Sequence, residues 1–225
     1  MAIILLIRHG ENDWVGKKLA GHLSGVHLNQ KGQEQAQKLA IKLQNLQFKA
    51  IYSSPLERAM ETAQPLATIK QLTINPLQNL SEINFGDWQG KTIKQLRRLK
   101  LWKTVQKHPS QMQFPNGESF KGAQQRLVNC LEGISQNHEA DDLVACFSHS
   151  DSIRLLVSYY LDMPLDSFQK INISTASISA LVLSKDQIFL PFINLIDINK
   201  FVVQFQEMQN SKATKNNNNK SKGKK

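Results

Sequence analysis

The chain of 225 residues has only two cysteines, Cys130 and Cys146, and neither stands in a CxxC or a Cys/His ligand spacing. That scarcity excludes a disulfide-stapled scaffold and a zinc module, and points to a reducing compartment. Long apolar runs are missing too. The longest is Ala2 to Ile7, far short of the roughly 20 residues a membrane-crossing helix requires, and it lacks the basic flank of a secretory leader. The expectation is a cytoplasmic protein with no membrane partner. Acidic residues are absent from 211–225, where six lysines account for six of the ten net positive charges and leave +4 on the other 210 residues. A Lys/Asn/Ser stretch with almost nothing apolar cannot offset its ordering entropy by burial. It is read as a disordered tail, and nucleic acid as a partner only through that tail.

With 40% apolar residues, 1–210 can bury one core of ordinary size. Short apolar runs alternate with segments of helical period, which predicts an α/β fold: a three-layer sandwich with helices on both faces of a mostly parallel sheet. Ile3 to Ile7 reads as the first strand, apolar throughout because both of its faces are covered. Ala36, Leu39, Ala40, Leu43 and Leu46 mark one helical face, with Asn29 as N-cap. Phe48 to Tyr52 is the second strand, and Ser54-Pro55-Leu56-Glu57 reads as a capping box opening a helix to about Ile69. Further strands are expected at Leu72–Ile74 and Leu143–Phe147, and helices at about Ser119–Ser135 and Ile153–Leu161. A closing strand pair, Ile173–Leu183 and Gln187–Ile196, turns at Ser184-Lys185-Asp186. A cap-like insertion spans about 77–117 and contains a helix from Ile93 to Lys103, with Leu96, Leu99 and Trp102 as its buried stripe.

Arg8-His9, Arg58 and His149 each stand just beyond the carboxyl end of an expected strand, where ligands collect in open α/β sheets. Arg58 falls in the first turn of its helix, where a cation opposes the macrodipole by about 0.3–1 kcal/mol. A bound anion removes that conflict, because free backbone N–H groups and a planar guanidinium both suit phosphate. The alternative is a surface arginine paired with an acid such as Glu61. Gly10 is read as allowing a ligand close to the backbone. The tetrapeptide Arg8-His9-Gly10-Glu11 would arise by chance in about one chain of this length in a thousand. His22, His27, His108 and His138 show no ligand spacing and are read as surface or structural residues, so no metal is expected. Gly21 and Gly25 flank a loop that could line a pocket.

LLIRHGE (Leu5–Glu11), SSPLERAMETA (Ser53–Ala63), LSEINFGDWQG (Leu80–Gly90), PNGESF (Pro115–Phe120) and CFSHSDSIR (Cys146–Arg154) together resemble the histidine phosphatases of the phosphoglycerate-mutase-like branch. The resemblance implies that His9 is the nucleophile, that Arg8, Arg58 and His149 bind the phosphoryl group, and that Glu82 donates a proton. Gly21 and Ser150 join the expected binding residues. It further implies a phosphatase that hydrolyses a small phosphorylated metabolite through a phosphohistidine, with no cofactor. The chemistry is coherent: a neutral imidazole splits hydrolysis into two transfers, cations meet charge in a largely dissociative transition state, and a carboxyl group protonates the departing alkoxide.

The chain departs from the family pattern at Val15 and Lys18, where relatives often carry asparagine and arginine, and in a loop over 24–28 that reads one residue longer. NFGDWQG and Ser150-Asp151-Ser152 side with phosphatase members rather than with mutases. The alternative function is a phosphoglycerate mutase, for which Arg97, Arg98 and Lys100 could supply carboxylate-binding cations in the cap; an exposed basic helix face is the plainer reading of those three. A noncatalytic polyanion-binding protein is the remote third.

Overall fold

The run from Ala2 to Ile7 forms the strand around which the sheet is built. A computed structural model describes residues 2–139, 141–183 and 188–197, together with 202, 203 and 205. Its elements are β1 (Ala2–Arg8), α1 (Gln30–Leu43), β2 (Ala50–Ser53), α2 (Glu57–Lys70), β3 (Ile74–Pro76), α3 (Ile93–Leu96), α4 (Trp102–Lys107), α5 (Phe120–Gln136), β4 (Asp142–Ser148), α6 (Ser150–Tyr160), β5 (Ile178–Leu183) and β6 (Ile188–Leu195), with short 3-10 turns between them. The sheet order is β3-β2-β4-β1-β5-β6. β3, β2, β4 and β1 are parallel, and β5 runs against both of its neighbours. This is the expected α/β architecture with a mixed, mostly parallel sheet.

Because side chains alternate along a strand, β1 feeds two cores. Ile3, Leu5 and Ile7 pack with Leu39 and Leu43 of α1 and Leu66 of α2. Ile4 and Leu6 share the opposite core with Leu127 and Leu131 of α5 and Ile153 and Val157 of α6. Each fully buried aliphatic side chain contributes about 1.5–3 kcal/mol relative to exposure.

Asn29 caps α1 as expected, its Oδ1 accepting from Gly32 N at 3.0 Å. Gly32 then comes so close to the loop after β1 that a Cβ there would lie 2.0 Å from the Glu11 carbonyl oxygen. A Cβ on Gly10 would lie 2.7 Å from the Gly32 carbonyl oxygen. Gly10 is therefore required by the approach of helix backbone, a correction to its reading as a ligand contact.

Other expectations shift for local reasons. Ser54 does not cap α2, which starts at Glu57 behind Leu56 with no side-chain cap. Instead Ser54 Oγ faces His149 Nε2 at 2.8 Å. The expected helix from Ile93 to Lys103 is two short helices. Thr92 and Gln95 form a capping box that opens α3, the chain turns over 97–101, and Leu99 is left 37% exposed while Leu96 is buried. Trp102 instead stacks on Trp88, with ring centroids 6.3 Å apart. The strand expected from Ile173 starts only at Ile178, because the chain before it holds Ala176 at a left-handed φ of 55°. The turn at 184–186, Gln187 and the tail 211–225 lie outside the described residues. Among the described residues, no helix is long and apolar enough to cross a membrane.

Gly32→Ala should destabilise the fold by about 1–3 kcal/mol through overpacking, although alanine is the better helix former by about 1 kcal/mol. Denaturant titration tests this, and an unchanged midpoint contradicts the close approach.

Candidate active site

Strand register brings the chemistry together. Arg8 of β1 pairs with Ser148 of β4, so His9 and His149 leave the sheet side by side, with ring centroids 5.2 Å apart. β2 pairs with the other side of β4, Ser53 opposite Phe147. This delivers Ser54 and the first turn of α2, with Arg58, to the same end.

His9 is buried, and its Nδ1 lies 2.7 Å from the Gly10 carbonyl oxygen. A carbonyl only accepts, so Nδ1 bears the proton and Nε2 keeps its lone pair. Burial first, then the Arg58 and Arg8 charges, hold the His9 imidazole well below its ordinary pKa. His149 is lowered in the same way, by burial and then by Arg58 and His9. Both rings are neutral near pH 7.

Arg58 does not pair with Glu61. Glu61 accepts from Leu28 N at 2.8 Å and contacts His27, whereas Arg58 Nη2 donates to the Gly21 carbonyl at 2.8 Å. Thr62 Oγ1 donates to the Arg58 carbonyl at 2.6 Å and accepts from Gly10 N at 3.0 Å, tying α2 to the His9 loop. Arg8 Nη1 donates to the Ile173 carbonyl at 2.7 Å. Each guanidinium is thus anchored through one nitrogen. Arg8 Nε, Arg58 Nη1 and His149 Nδ1 are buried with no hydrogen-bond partner among the described residues. Leaving such groups unsatisfied costs about 1–3 kcal/mol each.

Glu82 sits in the irregular segment before the cap. Its Oε1 accepts from Ser152 Oγ at 3.0 Å, Ser152 N at 3.2 Å and Ile83 N at 3.1 Å. Burial, then the Asp151 charge, raises its pKa against the pull of Arg58 and these hydrogen bonds. The protonated carboxyl is favoured accordingly.

The Glu82 backbone is clamped from two sides. His22 Nε2 lies 2.6 Å from the Glu82 carbonyl oxygen, and Arg126 Nη2 donates to the same oxygen at 3.3 Å. Arg126 also forks onto Glu118, at 2.7 and 2.9 Å, and Glu118 Oε2 accepts from Asn84 N at 2.8 Å. His22 is therefore part of the site's support, the structural side of its reading as a surface or structural residue. Glu118, Arg126 and Ser152 carry no assigned role in the sequence reading, and Ser54 only that of a helix cap. Glu118 and Ser152 stood inside quoted motifs, in PNGESF and CFSHSDSIR, and that was the available signal.

Arg8, His9, Gly21, Arg58, Glu82 and Ser150 line one cavity of about 370 Å³, while His149, wholly buried, packs against His9. Val15, Lys18, Asp151 and Arg154 line it as well. Arg97, Arg98 and Lys100 are exposed and do not. Among the described residues no three His, Cys, Asp or Glu side chains group as a metal site.

Residues 4–195 match the family model of the histidine phosphatase superfamily, branch 1. Phosphoserine phosphatase 1 of Hydrogenobacter thermophilus is 27% identical over 186 residues, 80% of this chain and 86% of its own. The 2,3-bisphosphoglycerate-dependent phosphoglycerate mutase of Thermoplasma acidophilum is 30% identical over 186 residues, 80% and 87% respectively. The solved structure of Bacillus stearothermophilus YhfR aligns at a TM-score of 0.82 and 26% identity, over 88% of this chain and 98% of its own. With the family model running from the first strand to the last, this chain belongs to branch 1 of the histidine phosphatase superfamily.

Proposed function

We propose that the protein is a cytoplasmic phosphatase that hydrolyses small phosphorylated metabolites through phosphorylation of His9. The observation that carries this reading is the set of three buried, unpaired nitrogens, Arg8 Nε, Arg58 Nη1 and His149 Nδ1, gathered about an imidazole whose Nε2 is free to attack. A bound phosphoryl group offers each an oxygen, and its charge offsets the two guanidiniums. His149 keeps Ser54 Oγ at Nε2, so a proton on Nδ1 donates to the phosphoryl group. Glu82, whose protonated form burial favours, delivers its proton to the departing alkoxide and then, as carboxylate, takes one from the water that attacks phospho-His9.

Mutase chemistry, the second reading, is favoured by the similarity to the Thermoplasma acidophilum mutase. The exposure of Arg97, Arg98 and Lys100 away from the cavity supports hydrolysis instead. Conversion of 3- to 2-phosphoglycerate with little release of phosphate would select the mutase.

Incubation with an aryl phosphate should give an acid-labile phosphoenzyme, absent in His9→Ala, and that variant should lose about 10³-fold or more in kcat. Undiminished turnover in His9→Ala excludes the mechanism. Glu82 acts as an acid only while protonated. Plotted against pH, kcat/KM should therefore fall on the alkaline side as Glu82 ionises above the ordinary carboxyl value of 4.5. The acid-side limb belongs to His9 and should lie well below 6.5. Glu82→Gln should remove the alkaline limb and lower kcat by about 10²–10⁴-fold on alkyl phosphates. Aryl phosphates, whose leaving groups need little protonation, should lose much less; equal losses on both would contradict the role.

A further inference from the structure

Next to the phosphoryl cavity lies a second one of about 300 Å³, and the two share Leu19, Ile93, Asp151 and Arg154 in their walls. Apolar side chains dominate this annex: Phe85, Trp88, Leu96, Trp102, Phe114 and Phe120 line it. Among the described residues its charged lining is Asp151 and Arg154, and these neutralise each other through a 2.9 Å bond from Arg154 Nη1 to Asp151 Oδ1. Arg154 Nε is buried and has no partner among the described residues. It stands at the neck between a cation-rich chamber and a neutral, aromatic one.

We infer that the annex receives the alcohol half of the substrate, so that the favoured substrates are phosphomonoesters whose leaving group ends in an uncharged, flat apolar moiety. The inference rests on the phosphatase reading and deepens it. Its basis is continuity: a phosphoryl group on Arg8 and Arg58 directs its ester oxygen toward Glu82, and Glu82 shares the first cavity with the neck residues. An acceptor atom near that oxygen, such as a hydroxyl or carbonyl, meets the free donor of Arg154. Beyond the neck no charged side chain among the described residues lines the annex, which disfavours a leaving group long enough to carry a carboxylate past Arg154 onto the aromatic rings. An aromatic or branched aliphatic group instead leaves water for largely apolar walls, as in most small-molecule sites.

Binding separates this inference from the chemistry. Propylphosphonate and 3-phenylpropylphosphonate keep a C–P bond that phosphate-ester hydrolysis does not cleave, and calorimetry on the full chain reads their affinities. The phenyl compound should bind about 10- to 100-fold tighter, the effect of removing one ring from water, with a more negative heat-capacity change. Trp102→Ala, at a half-buried position, should reduce that ratio about fivefold or more, and Trp102→Phe should restore part of it. Equal affinities in the unmodified protein, or a preference unaltered by Trp102→Ala, would overturn the assignment. Hydrolysis of the matching phosphates tests the other reading. Preferential binding without turnover sinks the phosphatase and leaves the annex, whereas turnover blind to the phenyl group does the reverse.

Discussion

Two guanidinium groups and two imidazoles buried against one another make the interaction to which the rest of the structure answers. Like charges at close quarters in a low-dielectric site are costly, and this protein reduces the cost twice. It keeps both rings neutral, by burial and by the arginines themselves. It also anchors each guanidinium on a backbone carbonyl, Ile173 for Arg8 and Gly21 for Arg58. What remains is a set of buried nitrogens without partners among the described residues, Arg8 Nε, Arg58 Nη1 and His149 Nδ1. The support extends outward through Thr62, Ser54, Ser152, His22 and the Glu118–Arg126 fork, so the catalytic candidates sit on a frame of short contacts and not on mobile loops.

Much of this was legible in the sequence. The uninterrupted run before Arg8 and the second before His149 marked buried parallel strands, and their carboxyl ends had to share one edge. Arg58 announced itself as a cation misplaced in a helix's first turn, and its near-complete burial explains why no surface acid claims it. The helix stripe from Ala36 to Leu43 and its Asn29 cap also followed from period and chemistry alone.

What escaped was decided by tertiary contact. Ser54 reads locally as a cap, but its hydroxyl meets a buried imidazole as well as Leu56 N ahead of the helix. Gly10 reads as room for a ligand, yet the neighbour is the backbone of Gly32, invisible without knowing how α1 crosses the loop. The basic stretch after α3 has enough helical period to suggest one helix. The stacking of Trp102 on Trp88 draws the chain into the aromatic cluster, and the intervening turn leaves Leu99 in solvent. His22 has no motif at all; its role depends on the loop of 21–28 being held to α2 by Glu57 and Glu61.

The pairing of β1 with β4 also governs when the enzyme can become active during its own synthesis. His9 follows β1 directly, but the strand that sets its neighbour His149 in place is made only after the helices α1, α2 and α5 and the whole cap. Such non-local pairing is slow, because chain closure must precede any reward from contact. A nascent chain therefore holds His9 beside Arg8 long before the strand that places His149, and the Ile173 carbonyl that anchors Arg8 is made later still, so the pocket closes only after β4 has inserted between β1 and β2.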